Sequence, residues 1–385
     1  MSAGQLLSVG PRGEAREAGP TLPEPPVEAV LNEALAWLGR RVGFDAARAL
    51  AYDPGVLIPV SFAASEPLQW EHTVAACRNE QAEADVHKFG DLARSRLHVA
   101  VMTAESAEAR QSPRWQNLIL PDGFQHELRA VAVDDHGHCW GSITAFRDGR
   151  RLFTDKDIRV VAGELGRLAA RLSRAMVADA TPPSPGQAAS LWLSGTGELL
   201  FATPTGREWL DCLRTPEMPG RAETLLAGLA VRVAAAAASS AQASPPRPVS
   251  LRARGGQGQW IALHGETITG PEGEAQGISV VIGPARPGTV LPILAAAYGL
   301  TGREQEVIRS VFAGHSTKEI SARLHISTYT VQDHLKSIFG KTGARSRGEL
   351  VGQVFLEHYV PRWEELPGAP AGWLAYTTPP QAAGT

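Results

Sequence analysis

The chain has 385 residues, enough for two or three domains that each bury a core. Its 37 Lys and Arg against 40 Asp and Glu leave a formal charge of −3, which excludes nucleic-acid binding spread over the whole surface. Three cysteines, Cys77, Cys139 and Cys212, are widely spaced with no CxxC pair, which argues against a disulfide framework or zinc finger and for a reducing compartment. The first thirty residues lack the apolar core and basic flank of a signal peptide, and no run of eighteen apolar residues occurs. A cytoplasmic protein with no membrane partner is expected.

Residues 1–26 are rich in Gly, Pro and Glu without periodicity and read as a disordered leader. Val27 to Val42 is helical by the spacing of Val30, Leu31, Ala34, Leu35 and Leu38. Strands are predicted over Ala47 to Tyr52, around Val56 to Phe62 and over His98 to Met102, with one helix from Trp70 to Leu92 between the second and third. Leu128 to Val133 and Cys139 to Phe146 form a hairpin around Asp134-Asp135-His136-Gly137-His138. Asp134, Asp135, His136, His138 and Cys139 are all possible metal ligands. Neighbours on a tight turn cannot converge on one ion, so turn chemistry is favoured and no metal is expected. Cys77 is read as a core thiol, and His87 and His126 lack a second feature that would make either a cofactor ligand, so no cofactor is expected. Thr154 caps a long helix from Asp155 to about Val177.

Antiparallel strands bracketed by an N- and a C-terminal helix make an α+β sensor architecture. Trp140-Gly141-Ser142-Ile143-Thr144-Ala145-Phe146, then Phe153-Thr154-Asp155-Lys156-Asp157-Ile158 and the closing helix, resemble a GAF domain, placed at 27–178. The resemblance implies a small-molecule ligand between sheet and helices and dimerisation through the terminal helices.

Pro182-Pro183-Ser184-Pro185-Gly186 marks a linker at 179–189. Over 190–286 the order is strand, strand, helices and three strands: Ser190 to Leu193, Leu199 to Thr203, helices Thr205 to Leu213 and Ala222 to Ala238, then Val249 to Arg254, Gln259 to Thr269 and Gly277 to Ile282. This order resembles a PAS domain. Gly195-Thr196-Gly197 and Gly255-Gly256-Gln257-Gly258 are not phosphate loops, since neither leads into a helix bearing Gly-Lys-Ser/Thr. A connector helix falls within 287–299, from Val290 to Tyr298.

The next stretch, 300–356, organises the chain. Thr301 with Glu304 forms a capping box for a helix carrying Val307, Ile308, Val311 and Phe312, which Gly314 ends. Thr317 caps a short helix with Ile320 and Leu324, His325-Ile326-Ser327 is a turn, and Ser327 caps the next helix. Ser346 caps a fourth, through Leu350, Val351 and Val354. In the third helix Val331, Leu335, Ile338 and Phe339 form one apolar stripe, while Tyr329, Gln332, Asp333 and Lys336 share the opposite face. Such side chains can hydrogen-bond base edges in a major groove. Thr317, Lys318, Thr328, Thr330, Lys341, Arg345 and Arg347 are candidate phosphate contacts.

Leu300-Thr301-Gly302-Arg303-Glu304, Gly314-His315-Ser316-Thr317-Lys318-Glu319-Ile320, Thr330-Val331, His334-Leu335-Lys336 and Phe339-Gly340-Lys341-Thr342-Gly343 resemble the LuxR-type helix-turn-helix family in order and spacing. The resemblance implies that Gln332, Asp333 and Lys336 face bases. Gln332 stands where many members carry Lys, and Asp333 is unusual there, so the DNA sequence read by relatives does not transfer. The expectation is a multidomain α+β protein ending in an all-α four-helix domain. It would act as a bacterial transcription regulator with double-stranded DNA, RNA polymerase and a second copy of itself as partners, its GAF- and PAS-like units sensing a small molecule, redox state or partner and changing DNA affinity. An interaction scaffold or a ligand-sensing enzyme with a helix-turn-helix appendage are the alternatives, and no catalytic constellation supports the enzyme. The tail, 357–385, is Pro/Gly-rich, and Tyr359, Trp363, Trp373 and Tyr376 suggest docking back on the protein.

Overall fold

A computed structural model describes residues 25–351 apart from positions 66, 67, 69, 150, 179–186, 216–219, 241–247, 257 and 286. The expectations for the leader before residue 25, for most of the linker and for the tail lie outside the described residues.

The first unit runs α1 (Val27–Arg41), β1 (Ala46–Asp53), β2 (Ile58–Ala64), α2 (Trp70–Ala82), α3 (Phe89–Arg94), β3 (Val99–Thr103), α4 (Ala107–Gln111), β4 (His126–Val133), β5 (Cys139–Arg147) and α5 (Asp155–Ala178). A π-helical turn at Trp115–Ile119 lies between α4 and β4. The five strands form one antiparallel sheet in the order β2-β1-β5-β4-β3. Strand side chains alternate between faces, and small ones collect on one face. Ala47, Ala49, Ala51, Ala130, Ala132 and Ala145 are buried there, with α1 and α5 packed over them. A Cβ at Gly141 would meet Leu50 O at 2.5 Å and Leu172 Cδ1 at 2.6 Å, so only glycine lets α5 lie this close.

The single helix expected over Trp70 to Leu92 is broken into α2 and α3. Between them the Asp85 carboxylate accepts from Val86 N, Arg114 N and Asn79 Nδ2. Glu80 accepts from Phe89 N, and His87 takes a left-handed φ of 54°. Side-chain acceptors here offer the backbone partners that a continuous helix would have supplied itself.

The second unit runs β6 (Ala189–Leu193), β7 (Leu199–Ala202), α6 (Pro204–Leu213), α7 (Arg221–Ser240), β8 (Val249–Arg254), β9 (Trp260–Thr269) and β10 (Ala275–Pro284). Its sheet order, β7-β6-β10-β9-β8, repeats that of the first unit strand for strand. Leu191, Leu193, Leu251, Ile261, Leu263, Ile278, Val280 and Ile282 are buried with Leu225, Leu229 and Val233 of α7.

The two units share a seam. Arg252 Nη1 donates to both oxygens of Asp53 at 3.1 Å, and both side chains are buried. Arg221 Nε donates to Val60 O at 2.6 Å and Arg254 Nη2 to Met176 O at 2.8 Å. The connector helix α8 (Pro287–Ala297) is apolar all round, and Val290, Leu291, Ile293, Leu294, Ala295 and Ala296 are buried. Such a helix belongs inside a protein rather than on its surface. It packs against α5 of the first unit and β8 of the second. Among the described residues no helix is long and apolar enough to cross a membrane.

Candidate nucleic-acid interface

The C-terminal tip comprises α9 (Gly302–Phe312), α10 (Thr317–Leu324), α11 (Thr328–Thr342) and α12 (Arg347–Val351). Its starts are fixed by side-chain caps. Thr301 and Glu304 close the expected capping box on α9. On α10 the cap is Ser316, not Thr317: Ser316 Oγ accepts from Glu319 N while the Glu319 carboxylate accepts from Ser316 N. Two adjacent hydroxyl residues competed, and only Ser316 has a glutamate three positions on. Ser327 caps α11 through Thr330 N at 3.0 Å, and Ser346 caps α12 through Glu349 N at 3.1 Å.

The turn between α10 and α11 bends at His325, which takes a left-handed φ of 53° without being glycine. Ser321 Oγ donates to Ile326 O at 2.5 Å and Ile326 N to Ser321 O at 3.1 Å, which satisfies the backbone there. Arg303 Nη2 donates to Leu324 O at 2.7 Å, placing a cation at the negative end of α10.

Along α11, Val331, Leu335 and Ile338 are buried, and Gln332, Asp333 and Lys336 are exposed. Tyr329 is 72% exposed, a large aromatic side chain left open to solvent. The four expected base readers thus share one open face. Thr328, Lys318 and Arg345 are exposed, Thr317 is half-buried, and Thr330 Oγ1 is 2.8 Å from Ser327 Oγ. Two of the expected phosphate contacts carry internal bonds as well. Lys341 Nζ donates to Glu304 Oε2 at 2.7 Å and to Gly299 O at 3.0 Å, which leaves one ammonium proton free. Arg347 Nη2 donates to His315 O.

The residue that periodicity alone did not single out as more than a cap is Glu304. Only 4% exposed, it accepts from Thr301 N at 2.7 Å, Ser337 Oγ at 2.6 Å and Lys341 Nζ at 2.7 Å. Burial alone would raise its pKa, but the hydrogen bonds from Lys341, Ser337 and Thr301 outweigh that and bring it to about 2. One carboxylate therefore caps α9 and fixes α11 against it. A second contact reaches the first unit. Gly299 has a φ of 62°, and the space a side chain would need there is filled by the His136 imidazole at the β4–β5 hairpin tip. The hairpin itself is built on Asp134, which accepts from His136 N, His138 N and Trp140 Nε1, consistent with turn chemistry.

A short helix, a tight turn and an amphipathic helix that exposes a polar face, braced by a helix behind, define a helix-turn-helix domain of the DNA-binding class. Residues 299–353 match the family described as bacterial regulatory proteins, luxR family. This part of the chain is a luxR-family helix-turn-helix domain. The monoamine regulon transcriptional regulator of Klebsiella aerogenes is 42% identical over 57 residues, which are 15% of this chain and 25% of that protein. A Mycobacterium tuberculosis protein named as an HTH-type transcriptional regulator is 44% identical over 54 residues, 14% of this chain and 6% of its own length. The chain thus spans a quarter or less of these relatives. Among solved structures, SdiA of Escherichia coli aligns over 86% of this chain and 92% of its own at 13% identity, with a TM-score of 0.30. VqmA of Vibrio cholerae, solved with ligand and DNA, aligns over 46% of this chain and 84% of its own at 17% identity, with a TM-score of 0.22.

Proposed function

We propose that the chain is a bacterial, cytoplasmic transcriptional regulator that inserts α11 into the major groove of double-stranded DNA. The observation that carries this reading is the open polar face of α11 on a luxR-family tip locked internally by Glu304. Tyr329, Gln332, Asp333 and Lys336 read base edges. Gln332 suits adenine, Asp333 accepts from cytosine N4, and Lys336 donates to guanine. Thr317, Lys318, Thr328, Thr330 and Arg345 hold phosphates, with the remaining donors of Lys341 and Arg347 beside them. The chain acts as a homodimer on a two-fold operator and communicates with RNA polymerase.

The first sheet unit senses a small molecule in this reading. Redox sensing by its thiols is disfavoured, because burial pushes Cys77 and Cys139 up to about 12, where thiolate is scarce at neutral pH. The signal reaches the tip through the hairpin at His136, the left-handed Gly299 and the Lys341–Glu304 pair. In vitro selection of random DNA with the full chain tests the proposal. An enriched palindromic motif, bound in a salt-dependent manner, is the expected result. Failure to enrich any sequence would overturn it.

A further inference from the structure

The second sheet leaves one corner uncovered. Of the nine large apolar side chains exposed among the described residues, five, Trp192, Leu199, Leu200, Phe201 and Val281, lie on β6, β7 and β10. Those three strands are neighbours in the sheet, with β7 at its end. Trp192 pairs across strands with Phe201 on one side and Ser279 on the other, and Val281 stands two residues beyond Ser279. Phe201, Trp192 and Val281 therefore share one sheet face, with the Trp192 and Phe201 rings 5.9 Å apart. Exposed apolar residues scattered singly need no explanation, but a contiguous patch of them marks a contact surface.

The edge beside the patch is open as well. Among the described residues no strand pairs with β7 on its outer side, whereas β8, at the opposite end of the sheet, packs on β1 and β2 of the first unit. An edge strand presents unpaired N–H and C=O groups, and proteins guard such edges with charge or proline. β7, Leu199-Leu200-Phe201-Ala202, carries neither, although it is short and its pairing slips by one residue at Leu193. Leu199, Leu200 and Phe201 are exposed in succession, so the strand is open on both of its sides. What fits there is an extended segment that is itself apolar on both faces.

We propose that residues 373–378 of the same chain fill the free edge of β7 as a sixth strand. This run, Trp373-Leu374-Ala375-Tyr376-Thr377-Thr378, is rich in aromatic and β-branched residues and lies between Gly372 and Pro379, the composition of a short strand. Alternation puts Trp373 on one of its faces and Leu374 with Tyr376 on the other, which matches an edge open on both sides. Outside the described residues, Phe, Tyr and Trp occur only after residue 351, so no comparable segment exists before residue 25 or between the elements. Extended, the chain from Val351 to Trp373 spans up to about 70 Å, more than the breadth of about 50 Å expected for roughly 330 folded residues. A second copy of the chain would pair only the four residues of β7 with its own β7, far less than a stable dimer buries. A tethered segment, by contrast, meets the edge at high effective concentration. The proposal concerns the second unit and the tail, and it holds whether or not the tip binds DNA.

Hydrogen exchange read by mass spectrometry on the full chain tests this. Amides of 373–378 should exchange at least about tenfold more slowly than in a free peptide of the same sequence, at any protein concentration. Phe201→Lys places a charge on the edge and should return 373–378 to the peptide rate. Trp373→Ser should in turn speed exchange of the outward amides of β7. Phe201 is exposed, so its variant should fold, and Leu200→Lys serves as the second edge variant. Docking of one short segment opens far below global unfolding, so the urea midpoint should hardly move. Exchange of 373–378 at the peptide rate would overturn the proposal, as would protection that survives both edge variants. Protection of β7 that Trp373→Ser leaves unchanged would also overturn it, and its growth with protein concentration would assign the edge to a second copy.

Discussion

The seam between the sheet units and the helical tip each bury one carboxylate beside one cation, and the two carboxylates behave in opposite ways. Asp53 is fully covered and held above the ordinary aspartate range, because burial outweighs the pull of Arg252. Its donors are Gly55 N at 2.9 Å, Arg252 Nη1 at 3.1 Å and Arg252 N at 3.2 Å. Glu304 is also covered, yet it is brought down to about 2 by donors at 2.6 and 2.7 Å. It lies one layer below the surface beside the partly exposed Lys341, so its ionised form loses less solvation. Short hydrogen bonds near water stabilise a charge, while somewhat longer ones to a fully covered carboxylate do not repay its desolvation.

The comparison breaks most visibly at the seam. Asp53→Ala leaves Arg252 buried and unpaired and should cost about 3–5 kcal/mol in urea unfolding, with the two sheet units separating into two transitions. Asp53→Asn, which keeps an acceptor and lacks the charge, should be much milder. In the tip the corresponding effect appears in binding. Lys336→Ala should lower affinity for a selected operator by about 1–3 kcal/mol in gel-shift titration while thermal stability stays unchanged, since Lys336 is exposed.

Acid sharpens the contrast. Glu304 has a lowered pKa, so its contribution is present above the ordinary 4.5 and is lost as pH falls towards about 2. Asp53 has a raised pKa, so its contribution is present below the ordinary 3.8 and is lost as pH rises through the raised value. Hydrogen exchange across this window should therefore show the tip opening before the seam. Residues 300–351 contain no tryptophan, so fluorescence should lag behind amide exchange. The smallest effect belongs to the exposed face of the second sheet, where Trp192 and Phe201 meet edge to face, 51% and 64% exposed. Phe201→Ser should change stability by no more than about 0.5 kcal/mol in the same urea assay.

The tip was readable from sequence because its determinants are local. Thr301 with Glu304, Ser327 before α11 and the Val331-Leu335-Ile338 stripe all act within two helical turns. The strands of both units match the sequence expectation to within about two residues, because short apolar runs are bounded by local turn residues such as Asp134 to Gly137. What escaped was set by distant partners. The break between α2 and α3 depends on Asp85 meeting Arg114, 29 positions away, and the brace on α11 depends on Lys341 meeting Glu304, 37 positions away. Arg48 and Arg129 look like solvent-facing strand residues, yet both are buried in a sheet covered on its two faces.

Position 299 has a genetic consequence. With an imidazole occupying the room for a side chain, Gly299→Ala must displace the His136 ring and strain a left-handed backbone position, which breaks this contact between hairpin and tip. In a reporter strain, that allele should answer the same with and without effector. A screen for signal-blind mutants should return substitutions at 299 and 136 together, although neither residue touches DNA in the proposed mode of binding.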